Sequence, residues 1–91
     1  MTYSTEQLDF IKEYAGYLLP VTSIAALLGL NPERLRMDIN TAQSDAYKAY
    51  QNGKAETLLK LRKQEVRLAE IGSPLAVQLA GQYIQDMEDD E

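Results

Sequence analysis

Apolar residues recur at helical spacing near the start of the chain, between a start signal and a stop signal. Four of them lie three or four positions apart: Leu8, Ile11, Ala15 and Leu18. Ser4 precedes this pattern as a candidate cap, and Gln7 stands three residues later, as in a capping box. Pro20 follows it and lacks the amide N–H that a helix interior needs. The pattern predicts a first helix between Ser4 and Pro20.

Two shorter helices are predicted after this stop. Thr22 is a candidate cap for a helix over residues 23–28, and Gly29 suits the left-handed turn that would end it. Asn31 followed by Pro32 is a strong start signal for a third helix, because asparagine caps well and proline is favoured at the first helical position. The residues expected to face inward from this helix are Leu35, Ile39 and, as a third candidate, Met37.

The second half of the chain predicts two helices joined by a tight turn. Residues 45–71 form a helical pattern without proline, in which Gly53 is the one weak point. Residues 72–74 are a C-cap glycine, a capping serine and a first-turn proline, and so short a connection predicts an antiparallel hairpin. The last helix is expected to run from Leu75 to about Met87. The acidic tail should then fray, because carboxylates oppose the negative end of a helix dipole.

The predicted fold class is all-α, because no strand pattern occurs. We expect an N-terminal three-helix helix-turn-helix unit in residues 1–45, and a break or bend in the polar stretch 40–45. A long helix and an antiparallel helical hairpin with an acidic tail follow in residues 46–91. A chain of 91 residues predicts one compact domain overall, and a core of that size favours oligomerisation.

The composition argues against catalysis and against metal binding. The chain has no cysteine and no histidine, which removes thiol nucleophiles, disulfides, soft-metal sites and the commonest general base. No calcium-loop pattern of alternating carboxylates is present, and the neighbouring carboxylates Asp89 and Asp90 fall in a tail expected to be solvated. We therefore predict no enzymatic activity, no cofactor, no metal and no small-molecule substrate.

The hydropathy pattern bears on location. No apolar run approaches membrane-spanning length, and the N-terminus lacks a basic start followed by a hydrophobic stretch. These features predict a cytoplasmic protein without a membrane partner.

The charge distribution is uneven. The net charge of −5 counts against nucleic acid as a partner. Residues 1–45 carry three basic and six acidic groups, residues 46–71 carry six basic and three acidic groups, and the last twenty carry five acidic groups only. A basic middle is a weak hint of a binding site. Its stripe of Lys60, Lys63 and Arg67 shares a helix face with Glu56 and Glu70, so a solvated, self-paired face is the favoured interpretation.

Residues 22–35 carry the strongest motif of the chain, which resembles the helix-turn-helix of DNA-binding proteins. Ala25 is small enough for the next helix to approach closely, Gly29 takes the turn, and Leu30 fills the core behind it. Asp38 departs from this pattern, since an inward apolar residue is usual there. The alternative is that the motif only packs three helices together. The residues predicted to contact DNA phosphates or base edges are Thr22, Ser23, Asn31, Arg34, Arg36, Asn40 and Thr41.

The two C-terminal helices have more apolar surface than one mutual contact can hide. The surplus either packs on the three N-terminal helices or joins copies of the chain, and we favour self-association. Charged residues set within the apolar arc would then pair across the interface and fix its register. The residues predicted to form the interface are Leu58, Leu61, Arg62, Glu65, Leu68, Leu79 and Tyr83.

The order of these parts resembles the small terminase subunits of tailed phages. The resemblance is carried by the helix-turn-helix, by residues 49–56 (AYQNGKAE) and by residues 69–76 (AEIGSPLA). It implies a protein without chemistry of its own that assembles into a ring, recognises viral double-stranded DNA and delivers it to a large motor subunit. That family usually continues into a C-terminal segment that engages the rest of the packaging machine. The acidic tail of this sequence is either a shortened replacement for that segment or a sign of a different role. The alternative is a helical protein–protein interaction module, or a small transcriptional regulator, with the helix-turn-helix as scaffold.

Overall fold

The computed structural model describes residues 2–91 and contains five α-helices. They are α1 (Thr5–Gly16), α2 (Val21–Leu28), α3 (Pro32–Ile39), α4 (Asp45–Glu70) and α5 (Pro74–Asp90). No strand occurs in the described part of the chain, and the predicted all-α fold class is confirmed.

The helices form two compact units, of which the first ends at Thr57 and the second begins at Leu58. The division lies within α4, later than the boundary between residues 45 and 46 that the sequence indicates. The first turns of α4 belong to the first unit because they help to build its core. Ala46 is 1% exposed there, and Gly53 is buried.

Helix α1 begins with the predicted capping box. The Ser4 hydroxyl accepts from the Gln7 amide at 3.1 Å, and the Ser4 amide donates to the Gln7 side chain at 2.9 Å. The helix ends at Gly16, ahead of Pro20, and Leu18 then adopts a left-handed backbone with φ of 61°. Leu18 therefore lies outside α1, although its spacing from Ala15 fits the helical pattern, and its side chain is 54% exposed.

Helices α2 and α3 begin differently from one another. Helix α2 starts at Val21 with Pro20 at the N-cap and no side-chain cap, so the prediction of Thr22 as the cap is wrong. The extended backbone of proline suits this position, and its carbonyl accepts the first helical bonds. Gly29 takes the predicted left-handed turn with φ of 68°. Asn31 caps α3 as predicted, since its side chain accepts from the Arg34 amide at 3.0 Å.

The predicted break between α3 and α4 is confirmed. Gln43 has a positive φ of 68°, which turns the chain between the two helices. The Ser44 hydroxyl donates to the carbonyl of Asp38 at 2.7 Å and accepts from the amide of Tyr47 at 3.0 Å. One serine therefore satisfies polar groups of both helices and fixes where α4 begins.

The core of the first unit is built mainly from aliphatic side chains of α1, α2 and α3. Its buried members are Tyr3, Ile11, Ala15, Ile24, Ala25, Leu35, Ile39 and Ala46. Leu35 and Ile39 face inward as predicted, whereas Met37 is 63% exposed and its candidate inward position is wrong. Residues 35 and 39 are four apart and share a helix face, while residue 37 is rotated by about 200° from residue 35.

Helices α1 and α4 touch at Gly53. A Cβ atom at this position would overlap the carbonyl oxygen of Lys12 and lie 2.8 Å from its carbonyl carbon. The Thr57 hydroxyl donates to the carbonyl of Gly16, and the Lys12 ammonium lies 3.5 Å from the Glu56 carboxylate. The sequence marks Gly53 only as a weak point of α4. In the structure its missing side chain lets the two backbones meet.

Helix α5 returns alongside α4 within the second unit. Gly72 has φ of 92°, Ser73 accepts from the Ala76 amide at 3.4 Å, and Pro74 is the first residue of α5. The Arg62 guanidinium lies 3.4 Å from the centre of the Tyr83 ring. Arg62 precedes the turn by about as many residues as Tyr83 follows it, so a contact between them means that the two helices run antiparallel.

The C-terminus of α5 is longer than predicted. The helix continues to Asp90, so the expectation that it ends at about Met87 and frays is wrong. Two side-chain hydrogen bonds of 2.9 Å, from Gln82 to Asp86 and from Gln85 to Asp89, span one turn each. Such bonds stabilise a helix locally and oppose the unfavourable end charges.

Candidate DNA interface and self-association surface

Helices α2 and α3 pack together as the motif requires. Ile24, Ala25 and Leu35 have no exposed surface at this contact, and Leu30 packs partly buried against them. The small side chain of Ala25 permits the close approach that the sequence predicts. The first unit therefore holds a two-helix arrangement that leaves one face of α3 in solvent.

The basic side chains of α3 are paired with acidic neighbours on the same helix. Nε of Arg34 lies 3.3 Å from a carboxylate oxygen of Asp38. Nη1 of Arg36 donates to both carboxylate oxygens of Glu33, at 3.2 and 3.3 Å. Helix α3 therefore carries no net charge, and a phosphate that approaches either guanidinium also meets the repulsion of the neighbouring carboxylate.

Three other predicted DNA contacts lie around the ends of α3. The side-chain oxygen of Asn31 is used as the helix cap, and the Thr41 hydroxyl donates to the carbonyl of Met37 at 2.8 Å. Asn40 is the C-cap residue and its side chain is exposed. Of these, the Asn40 side chain makes no hydrogen bond within residues 2–91 and is the most readily available to a ligand.

The start of α2 offers backbone amides. Thr22 is exposed and Ser23 is half-buried. The Ser23 amide donates to the carbonyl of Pro20 at 3.0 Å, which leaves the amides of Val21 and Thr22 for an anion. Of the predicted pair, Thr22 is thus better placed for a phosphate contact.

Asp38, which departs from the helix-turn-helix pattern, is explained by Tyr3. The Tyr3 hydroxyl donates to Asp38 at 2.6 Å, and the ring of Tyr3 belongs to the core. Burial, together with the hydrogen bond to Asp38, raises the pKa of Tyr3 to about 12. The same bond, with the nearby Arg34 guanidinium, holds the pKa of Asp38 below its usual value of 3.8. The Tyr3 ring contributes apolar surface to the core, and Asp38 holds the Tyr3 hydroxyl through the hydrogen bond.

The predicted interface residues of the second unit fall into two groups. Leu58, Leu61 and Leu68 are each 43–44% exposed. The remaining four are half-buried: Arg62, Glu65, Leu79 and Tyr83. Arg62 stacks on Tyr83 of its own chain, so this pair contributes to the hairpin itself as well as to any contact with another copy.

Further large apolar side chains are exposed in the second unit, beyond those predicted as interface. They are Leu59, Val66, Ile71, Leu75, Val77, Ile84 and Met87, at 44–75% exposure. Among residues 58–91, all of which the structure describes, Ala76 alone is buried. A helical wheel shows that these positions are apolar but does not show which of them the other helix leaves uncovered.

Residues 2–91 contain no group of three or more carboxylates placed to hold a metal ion. Within the same residues, no helix combines the length and the apolar character needed to cross a membrane. No protein-family model, curated protein or solved structure matches this chain.

Proposed function

We propose that this protein is a non-catalytic adaptor that self-associates through residues 58–91 and binds double-stranded DNA with α3. The layout resembles the small terminase subunits of tailed phages, and the proposed role is to recognise phage DNA and present it to a large motor subunit. The observation that carries the proposal is the exposure of ten large apolar side chains in a unit that buries Ala76 alone.

Self-association is supported by the energy that this surface can contribute. Full burial of one Leu, Ile, Val or Met contributes about 1.5–3 kcal/mol. The ten side chains are about half exposed, so covering them contributes on the order of 10 kcal/mol. Association costs roughly 4–15 kcal/mol because the two partners lose translational and rotational freedom. The apolar term can therefore offset much of that cost, and polar contacts at the edges decide the affinity and the geometry.

DNA binding is supported by the position of Arg34 and Arg36 on the exposed face of α3. Their pairs with Asp38 and Glu33 are surface ion pairs, which typically contribute only about 0–1 kcal/mol. A phosphate oxygen can replace such a partner at little cost. Each copy offers few basic contacts, so joining copies would raise the apparent affinity by avidity.

A protein–protein interaction module, or a small transcriptional regulator, is the second candidate. The observation that favours a protein partner is the lack of net charge on α3 together with the exposure of Met37 at 63% and Leu27 at 60%. Neutral apolar side chains suit a protein surface better than a phosphate backbone.

Duplex-DNA binding, measured by fluorescence anisotropy at low and high salt, separates the two candidates. The adaptor should bind at low salt, with an affinity that falls steeply as salt rises because counterions are released. Arg34→Ala/Arg36→Ala should weaken binding at least about tenfold, whereas the matched pair Lys48→Ala/Lys54→Ala in α4 should change it much less. Absence of binding at low salt, or equal losses in both variants, contradicts DNA recognition by α3.

A further inference from the structure

The hairpin unit, residues 58–91, carries two neighbouring grooves of opposite charge. The first, the acidic groove, has a volume of about 670 Å³. Val66, Ile84 and Met87 line it with apolar surface, and Asp86 and Asp90 add carboxylates. Ile84 is 57% exposed and Met87 is 66% exposed, so the groove is open to an occupant.

The second, the basic groove, lies next to the first and has a volume of about 420 Å³. It is lined by Leu59, Lys63 and Arg67, with Glu70 as its one carboxylate. Arg62 and Val66 line both grooves. Since these two side chains form a common border, an occupant that covers one groove fully also meets the edge of the other.

The charged groups around the two grooves form no ion pairs with one another, although Arg62 stacks on Tyr83 of its own chain. Residues 58–91 are all described, and no ion pair within 4.0 Å joins any two of them. Asp86 accepts a hydrogen bond from Gln82, and no cation neutralises it among these residues. The charges also separate by helix, because the part of α4 in this unit carries four basic and two acidic residues and α5 carries acidic residues only.

We infer that a second copy of this chain occupies both grooves, related to the first by a two-fold axis. The inference rests on the self-association proposed above and adds its geometry. A two-fold axis near the shared border places the basic groove of each copy on the acidic groove of the other. Apolar surface then meets apolar surface at the centre, and two equivalent sets of charges pair at the edges. Such a contact closes at two copies.

Two charge reversals test this geometry. Lys63→Glu/Arg67→Glu makes the basic groove acidic, and Asp86→Lys/Asp90→Lys makes the acidic groove basic. Each variant alone should dissociate, with a dimer dissociation constant at least about tenfold higher than that of the unchanged chain. In each dimer, grooves of like charge would then face one another at both of the equivalent contacts. An equimolar mixture should assemble again, because every reversed groove then faces its complement. The mixed particle should have twice the chain mass of 10.2 kDa.

The control is Lys48→Glu/Lys54→Glu, which makes the same change in net charge as Lys63→Glu/Arg67→Glu but lies outside both grooves. It should dimerise like the unchanged chain, and circular dichroism should show native helicity in all variants. If the unchanged chain assembles but neither reversal weakens it, or if the mixture fails to reassemble, the two-fold geometry is overturned while self-association stands. A larger particle overturns the closed dimer, and a monomeric unchanged chain overturns the proposed self-association as well.

Discussion

Replacing Gly53 by alanine adds one methyl group at the point where α1 and α4 meet. In solvent-exposed helix this change is favourable by about 1 kcal/mol, because alanine has the higher helix propensity. At Gly53 the new Cβ overlaps the Lys12 carbonyl oxygen and lies 3.1 Å from the Lys12 Cα. These atoms are backbone, so no side-chain rotation relieves the overlap, and α1 must move away from α4.

The size of the stability loss follows from the contacts that are disrupted when α1 moves away from α4. Overpacking of a tight contact costs typically 1–3 kcal/mol. The hydrogen bond from Thr57 to Gly16 contributes about 1 kcal/mol, and the ion pair of Lys12 with Glu56 contributes at most about 1 kcal/mol. After the helix-propensity gain is subtracted, the free energy of unfolding should fall by about 1–4 kcal/mol. For a chain of this size, the melting temperature should fall by roughly 4 °C or more.

Urea unfolding followed by circular dichroism measures this loss, and Gly81→Ala is the matched control. Gly81 is also a helical glycine, but a Cβ there meets nothing within 4 Å. The control should gain about 0.5–1 kcal/mol. Both variants are compared with the unchanged chain at the same protein concentration, because assembly changes apparent stability. A Gly53→Ala chain as stable as the unchanged one would refute the close crossing.

Two further predictions concern Tyr3 and Leu18. The pKa of Tyr3 is raised to about 12, so this tyrosine ionises at a lower pH in the unfolded chain than in the folded one. The stability that Tyr3 contributes is present below about pH 10 and should be lost between about pH 10 and 12. The difference in unfolding free energy between the unchanged chain and Tyr3→Phe should shrink by roughly 2–3 kcal/mol over that range, and a constant difference would contradict the buried hydrogen bond. Leu18→Gly should raise the melting temperature slightly, since removing left-handed strain of about 1–2 kcal/mol outweighs the backbone entropy of glycine; a loss of stability would show that the exposed side chain has a packing role.

The helix starts that depend on local chemistry were predictable. Ser4, Asn31 and Ser73 each cap the helix that follows, because a cap is decided by a side chain and an amide two or three residues away. The predicted start of α2 is wrong because Pro20, which the sequence indicates only as the stop of α1, is also the N-cap residue of α2. The predicted end of α5 is wrong because hydrogen bonds from Gln82 to Asp86 and from Gln85 to Asp89 stabilise the last turns against the unfavourable end charges.

The contacts between distant residues were not predictable in the same way. Tyr3 and Asp38 are 35 positions apart, and Gly53 meets Lys12 across two helices. Hydropathy spacing shows which face of a helix is apolar but not which other element covers it. Among the large apolar side chains that the second unit leaves exposed, Leu58 and Leu61 belong to the predicted interface residues, while Ile84 and Met87 do not.

The most direct test of the central claim is the mass of the unchanged chain in solution, measured by light scattering over a range of concentrations and compared with Ile84→Lys, which places a cation opposite the partner's basic groove. The account predicts twice the chain mass of 10.2 kDa for the unchanged protein. The variant should have a mass close to one chain and keep its helicity, because the substituted side chain is 57% exposed and lines the acidic groove. A monomer for the unchanged chain, or an undiminished mass for the variant, would contradict assembly through the hairpin unit.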